Sequence, residues 1–394
     1  MSGIAPLLDG TVAASAATAL FLAPRVLRRE AGPARRGRSY GPEPVLAAVV
    51  ALIYLNQVLV AVYVDRVHHG DVSFITRYLP PGWFDVPRLD SLAARFPAPE
   101  LLAPSVLRVQ AFLELPLVLL AFVAVVRRLD RALYVRLARS PLVPLAAASY
   151  TVAFCAVEWD LRNPYTVDDL VLRVLAACLT PPLIAWLARR EPGSEPGIEP
   201  GAEPGAEPGA EDKPAPEPEP ARGLFRFALD LWAYGQLMLV LYDTALLYNL
   251  ARLGDHLPSA AAALAVLVAT RTVPPRAPRP LPGPYTATLA GTIGRALALF
   301  LVPALSIRYA ESFGTPELAA LAGLLVIGAA ARRDAPRLLP PALAGAVVGY
   351  AVATLAPGPY YEATLLRSAT GALLATTALC ALLDTTRARL VVRS

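Results

Sequence analysis

The chain has 394 residues, 56% of them hydrophobic, and a mean hydropathy of +0.49, against the roughly 45–50% apolar residues of a soluble globular chain. Its formal net charge of +5 rests on arginines gathered in particular segments, with Lys213 the single lysine. No regular array of basic and aromatic residues suits a nucleic acid, so the charge is read as membrane topology, and the bilayer is the expected surrounding.

Apolar runs of roughly 17–25 residues, each long enough to cross a bilayer, recur along the whole length. Helix is the only sensible assignment, because each segment must satisfy its own backbone groups. Spans are expected near 5–23, 44–63, 105–125, 141–158, 169–187, 223–248, 258–271, 285–304, 315–331, 338–356 and 361–384. The expected fold is therefore an all-α polytopic bundle of about eleven transmembrane helices in two halves. The first stretch lacks the basic start of a secretory signal, and Asp9 interrupts it. It is read as the first span, followed by a basic loop that ends near residue 43.

The arginines alternate with the spans. Arg25, Arg28, Arg29, Arg35, Arg36 and Arg38 follow the first span; Arg127, Arg128, Arg131, Arg136 and Arg139 follow the third. Arg189 and Arg190, then Arg271, Arg276 and Arg279, then Arg332, Arg333 and Arg337, and finally Arg387, Arg389 and Arg393 follow the later odd-numbered spans. Basic flanks favour the cytoplasmic side, so the expected arrangement has the N-terminus outside and the C-terminus in the cytoplasm, in the plasma membrane. Cys155, Cys178 and Cys380 all fall within expected spans and read as small core residues.

Residues 191–220 read EPGSEPGIEPGAEPGAEPGAEDKPAPEPEP, an acidic tetrapeptide repeat with too little apolar area to pack. A cytoplasmic disordered linker is expected over 191–222. It separates a four-span module at 44–190, preceded by the first span, from a six-span half at 223–394. NQVLVAVYVD, ending at Asp65, echoes GQLMLVLYD, ending at Asp243. Internal duplication and chance resemblance between apolar spans both remain open.

Polar residues at membrane depth carry the functional argument. VLRVQAFLELPLVLLAF, Val106 to Phe122, holds Gln110 and Glu114 four apart on one helix face, just before Pro116. A carboxylate in mid-bilayer costs about 2.5–3.5 kcal/mol on insertion scales and marks a functional site by default. Gln57 and Tyr150 are expected to line the same cavity, opened outward by Asp65 and Glu158. Their alternative role is interhelical hydrogen bonding worth roughly 0.6–2 kcal/mol each. Glu114, Asp65 and Glu158 are the candidate catalytic residues; Gln57, Gln110, Tyr150, Trp159 and Asp243 are the candidate ligand-binding residues. A carboxylic acid kept neutral by burial could protonate an alkene, with Trp159 or Tyr150 stabilising the cation and a nearby base removing a second proton. That chemistry needs no cofactor. His68-His69-Gly-Asp71 lacks a nearby third histidine, so no metal is expected there. No phosphate-binding or hydrolase motif is present.

Residues 44–190 resemble the EXPERA family. The resemblance lies in VAVYVD ending a first helix, QAFLELP in a second, RSPLVP opening a third and LTPPLIAWLARR closing a fourth. It implies a four-helix membrane module with a cavity for a sterol-like or terpenoid lipid and, by analogy, isomerase chemistry. Here Gln110 comes first and Glu114 second, the reverse of a common family order, so the acid sits one turn further along. Two alternatives stand beside the isomerase or cyclase reading: a non-enzymatic lipid-binding protein and a transporter of a lipid or small molecule.

Overall fold

The computed structural model describes residues 4–27, 41–71, 105–161, 166–191, 220–246, 250–272, 283–312, 316–359 and 361–393. The expected acidic linker lies almost wholly outside these residues, as does most of the 64–104 loop. Among the described residues the chain is helical and has no strand. The helices are α1 (Ile4–Leu27), α2 (Glu43–His68), α3 (Ser105–Leu129), α4 (Arg131–Ala138), α5 (Leu142–Leu161) and α6 (Thr166–Arg189), then α7 (Pro220–Leu241), α8 (Leu253–Thr272), α9 (Pro284–Ser312), α10 (Pro316–Ala331), α11 (Ala335–Leu355) and α12 (Tyr361–Arg393).

Eight of these helices are long and apolar enough to cross a membrane. At the expected first, fourth and ninth spans the apolar stretches are shorter: Asp9–Leu22, Leu142–Ala156 and Leu321–Ala331. Length and composition therefore support eight crossings where eleven were expected. The short α4 has no counterpart among the expected spans. Its N-cap is Asp130, whose carboxylate accepts the backbone N–H groups of Ala132 and Leu133 at 2.8 and 3.1 Å, satisfying donors that a helix start leaves open.

The two halves share one core. Ile53, Leu117, Leu120, Ala147 and Ile184 from the first half cluster with Tyr234, Leu241, Ala298, Leu301 and Val326 from the second. Helix α1 packs along α9, α5 and α10, and α3 packs against α2, α6 and α7. Chain order therefore understates how closely the halves interlock.

Two devices fix neighbouring helices. Gly345 and Gly349, four apart on α11, face α12. A Cβ on Gly345 would stand 2.0 Å from Thr376 Oγ1 and 2.7 Å from the Ala372 carbonyl oxygen. Small residues at this spacing let backbones approach where lipid provides no hydrophobic drive, and Ser368 Oγ donates to the Gly349 carbonyl at 2.7 Å. Elsewhere, Asp384 of α12 caps the start of α9. It accepts the Tyr285 and Thr286 backbone N–H groups at 2.9 and 3.0 Å and the Thr286 hydroxyl at 2.8 Å.

At the arginine-rich end, charges from several helices meet. Arg127 donates to Glu43 at 2.9 Å and to Glu191 at 2.5 Å. Arg128 pairs with Asp230 at 3.3 Å, and Thr270 donates to Asp230 at 2.6 Å. Asp230 and Glu191 are almost fully buried. The network ties α2, α3, α6, α7 and α8 together, so it spans the join between the halves.

Candidate functional site

Glu114 lies two turns into α3, among α2, α5 and α6, which supply its neighbours. Its Oε2 accepts from Arg173 Nη1 of α6 at 2.8 Å, with Tyr150 Oη of α5 at the outer limit of contact, 3.5 Å. Its Oε1 accepts from Gln110 Nε2 at 3.3 Å. Gln110 Oε1 in turn accepts from Gln57 Nε2 of α2 in a short hydrogen bond. Arg173 stacks on the Phe154 ring at 3.9 Å from its centroid, and Phe154 packs on Tyr150. Gln57, Gln110 and Arg173 are buried.

The direction of this chain follows from its end. An ionised carboxylate only accepts, so Gln110 turns its amide N–H toward Glu114 and its carbonyl toward Gln57. Gln57 must then offer its own N–H, and its Oε1 has no partner among the described residues although no part of the residue reaches the surface. Asn56 Nδ2 and Thr151 Oγ1 are also buried and make no hydrogen bond among the described residues. Buried polar groups are normally satisfied by protein, water or ligand, so the open Gln57 Oε1, one hydrogen bond beyond Gln110 and Glu114, points to a further partner.

The structure thus brings together Gln57, Gln110, Glu114 and Tyr150. It does not join the other candidates to them through any described contact. Trp159 is 57% exposed on α5, so its ring is not buried against the cluster as a cation-stabilising residue would be. Asp65 is half-buried near the end of α2. The Glu158 side chain lies outside the described residues. The residue that sequence reasoning left out of the cluster is Arg173. A signal existed: Glu114 and Arg173 stand nine and seven residues into α3 and α6, at similar depths of roughly 10–14 Å by helical rise, and their charges are opposite.

Asp243 belongs to a different place. It sits in a π-helical turn, Tyr242–Leu246, that continues α7. Its Oδ2 lies 2.6 Å from His256 Nε2, and Arg252 Nη1 lies 3.3 Å from both carboxylate oxygens. These residues line a cavity of about 610 Å³ between α7, α8 and the start of α12. Thr244, one residue on, shares a hydrogen bond of 2.8 Å with Tyr54 of α2, so the turn also touches the first half. His68 does not join His256; its Nε2 lies 3.2 Å from Tyr63 Oη.

Comparison with known proteins finds no matching family model, no similar curated protein and no similar solved structure.

Proposed function

We propose that the protein is an integral membrane protein that binds a lipid-soluble, hydroxyl-bearing molecule of sterol-like or terpenoid kind in its first half. The observation that carries this reading is the orphaned Gln57 Oε1, fully buried at the end of a hydrogen-bond chain anchored by an ion pair. A ligand hydroxyl donating to that oxygen completes the chain, while the apolar body lies among the Leu, Val and Ala side chains of α2, α3, α5 and α6. The resemblance of residues 44–190 to the EXPERA family points to the same ligand class.

Arg173 bears on whether the site turns its ligand over. With a guanidinium on its carboxylate, Glu114 serves as an acceptor and anchor, which favours binding without chemistry. Isomerisation or cyclisation by proton donation would require Arg173 to leave on ligand entry. In that case Glu114→Gln lowers turnover by at least about a hundredfold, the scale of general acid catalysis. The transporter reading is weaker, because the two halves share a core rather than meeting at an interface that could rock. In the same proposal the arginine-rich end, with the linker and the C-terminus, is cytoplasmic. The shorter apolar helices α1, α5 and α10 then cross with the eight longer ones, giving eleven spans and an outside N-terminus in the plasma membrane.

The test is mass spectrometry of lipids that co-purify with the protein. The unaltered chain should carry a hydroxylated sterol-like or terpenoid molecule. Gln57→Leu removes the acceptor without stranding a charge and should lose that molecule while keeping its elution profile. Equal lipid in both proteins withdraws the reading.

A further inference from the structure

The cavity of the second half is separate from the Gln57–Glu114 cluster and is built from other residues. The connection from α7 to α8 carries Asp243 in its π-helical turn and Arg252 just before α8, and α8 carries His256; both pair with Asp243. Facing them, α12 contributes Glu362 and Arg367. Arg367 is held at the mouth by its donation to the Pro357 carbonyl at 2.8 Å. Trp232 and Tyr242 supply aromatic surface. The π-helical turn that contains Asp243 is a feature that recurs at functional sites.

Charge decides the class of ligand. Groups of both signs face the cavity: the guanidinium groups of Arg252 and Arg367, and the carboxylates of Asp243, Asp255 and Glu362. Bringing a charge into a partly dehydrated space is costly unless it meets an opposite charge. A ligand with one charge of each sign finds an opposite partner for both on these walls. Its anionic group meets the guanidinium edges of Arg252 and Arg367, whose planar donors suit phosphate oxygens. Its ammonium meets Glu362 and the Trp232 and Tyr242 rings, which attract cations.

Location narrows the class further. The cavity lies where α7 ends and α8 and α12 begin, and α8 exposes Leu257, Leu264 and Val268 along its length. On a membrane helix such a face meets acyl chains. The volume, about 610 Å³, falls inside the roughly 300–1,000 Å³ range of small-molecule sites. We infer that the cavity between α7, α8 and α12 is a binding site for the zwitterionic headgroup of a phospholipid, an ammonium joined to a phosphodiester.

Native mass spectrometry of the full chain in detergent tests this. The protein is offered an equimolar mixture of phosphatidylethanolamine, phosphatidylglycerol and diacylglycerol with identical acyl chains. Phosphatidylethanolamine should be retained at least about tenfold over the other two, a difference of about 1.4 kcal/mol. Glu362→Gln and Arg367→Gln should each abolish the preference. Arg252→Gln, at a side chain more than half exposed, should weaken it without risk to the fold. Gln57→Leu should leave it intact, which separates this site from the one proposed in the first half. Equal retention of phosphatidylglycerol or diacylglycerol overturns the inference, as does a preference that survives the charge-removing variants. Displacement by an equal concentration of free phosphoethanolamine would assign the cavity to a soluble zwitterion and overturn the lipid assignment.

Discussion

Arg173, which is buried, and Glu114, which is largely so, form an ion pair, 2.8 Å from Nη1 to Oε2, between two helices that lie side by side in the first half. Removing one partner leaves the other charge buried and alone, at a cost of about 3–5 kcal/mol, whereas replacing both by apolar residues is often neutral. Arg173→Leu is therefore expected to lower thermal stability in detergent strongly. The double variant Glu114→Leu/Arg173→Leu should recover most of the loss. A double variant as unstable as the single one would show that the remaining partners of the pair, Gln110 and Phe154 among them, need both charges.

The contact of α11 with α12 gives a sharper steric expectation. A methyl group on Gly345 meets Thr376 Oγ1 and the Ala372 carbonyl well inside van der Waals distance, and the backbone cannot yield without moving α12. Gly345→Leu should reduce the yield of folded protein or lower the melting temperature by several degrees, as expected for an overpacked contact costing about 1–3 kcal/mol. Gly328→Leu on α10 is the control, because a Cβ there meets nothing within 4 Å. Equal effects at both positions would mean that the two helices are not in close contact.

These two relationships differ in how far they were legible beforehand. The pattern G-A-V-V-G at 345–349 has the small-residue spacing of a close contact, yet the span reading passed over it, and bilayer thickness located the eight longer apolar helices but not the lengths of the other three. Helix α4 escaped notice because eight residues between an Asp cap and Ser140-Pro141 carry too little periodicity to separate from a loop. Arg173 was visible as a charge within a span, but its partner depends on which helices are neighbours, and sequence spacing does not report that. The pairing of His256 with Asp243 was not legible, because thirteen residues separate the two. The hairpin of α7 and α8 closes that distance. The arginine-rich segments were read as topology signals only, yet Arg127 and Arg128 also clamp α2, α6 and α7 through Glu43, Glu191 and Asp230.

Sidedness can be measured at two exposed positions. His69 lies just past the end of α2, and Arg332 lies in the turn between α10 and α11. In a background with Cys155, Cys178 and Cys380 replaced, a cysteine at position 69 should react with an impermeant reagent in intact cells. One at position 332 should react only after the membrane is opened. Reaction of both in intact cells would place the arginine-rich turn outside and overturn the orientation proposed from the basic residues.

Tyr134 provides a pH test at the arginine-rich end. It lies on the short helix α4, is fully buried, and its hydroxyl makes no hydrogen bond among the described residues. Burial pushes its pKa up from the ordinary tyrosine value, the Glu191 charge adds to the rise, and Arg127 opposes it. The sign of the linkage follows. The unfolded chain loses this proton near about pH 10, before the folded protein does. The contribution to stability is complete below that pH and declines as pH rises toward the folded value. Tyr134→Phe removes both the titration and an unpaired buried hydroxyl. At neutral pH the variant should match or exceed the parent by about 1 kcal/mol, because an apolar group of the same shape needs no hydrogen-bond partner. Between about pH 9 and pH 11 its melting temperature should fall less than that of the parent. Parallel curves for the two proteins would assign the alkaline loss to other groups, and a large loss of stability at neutral pH would mean that the hydroxyl does have a partner in the membrane-embedded protein.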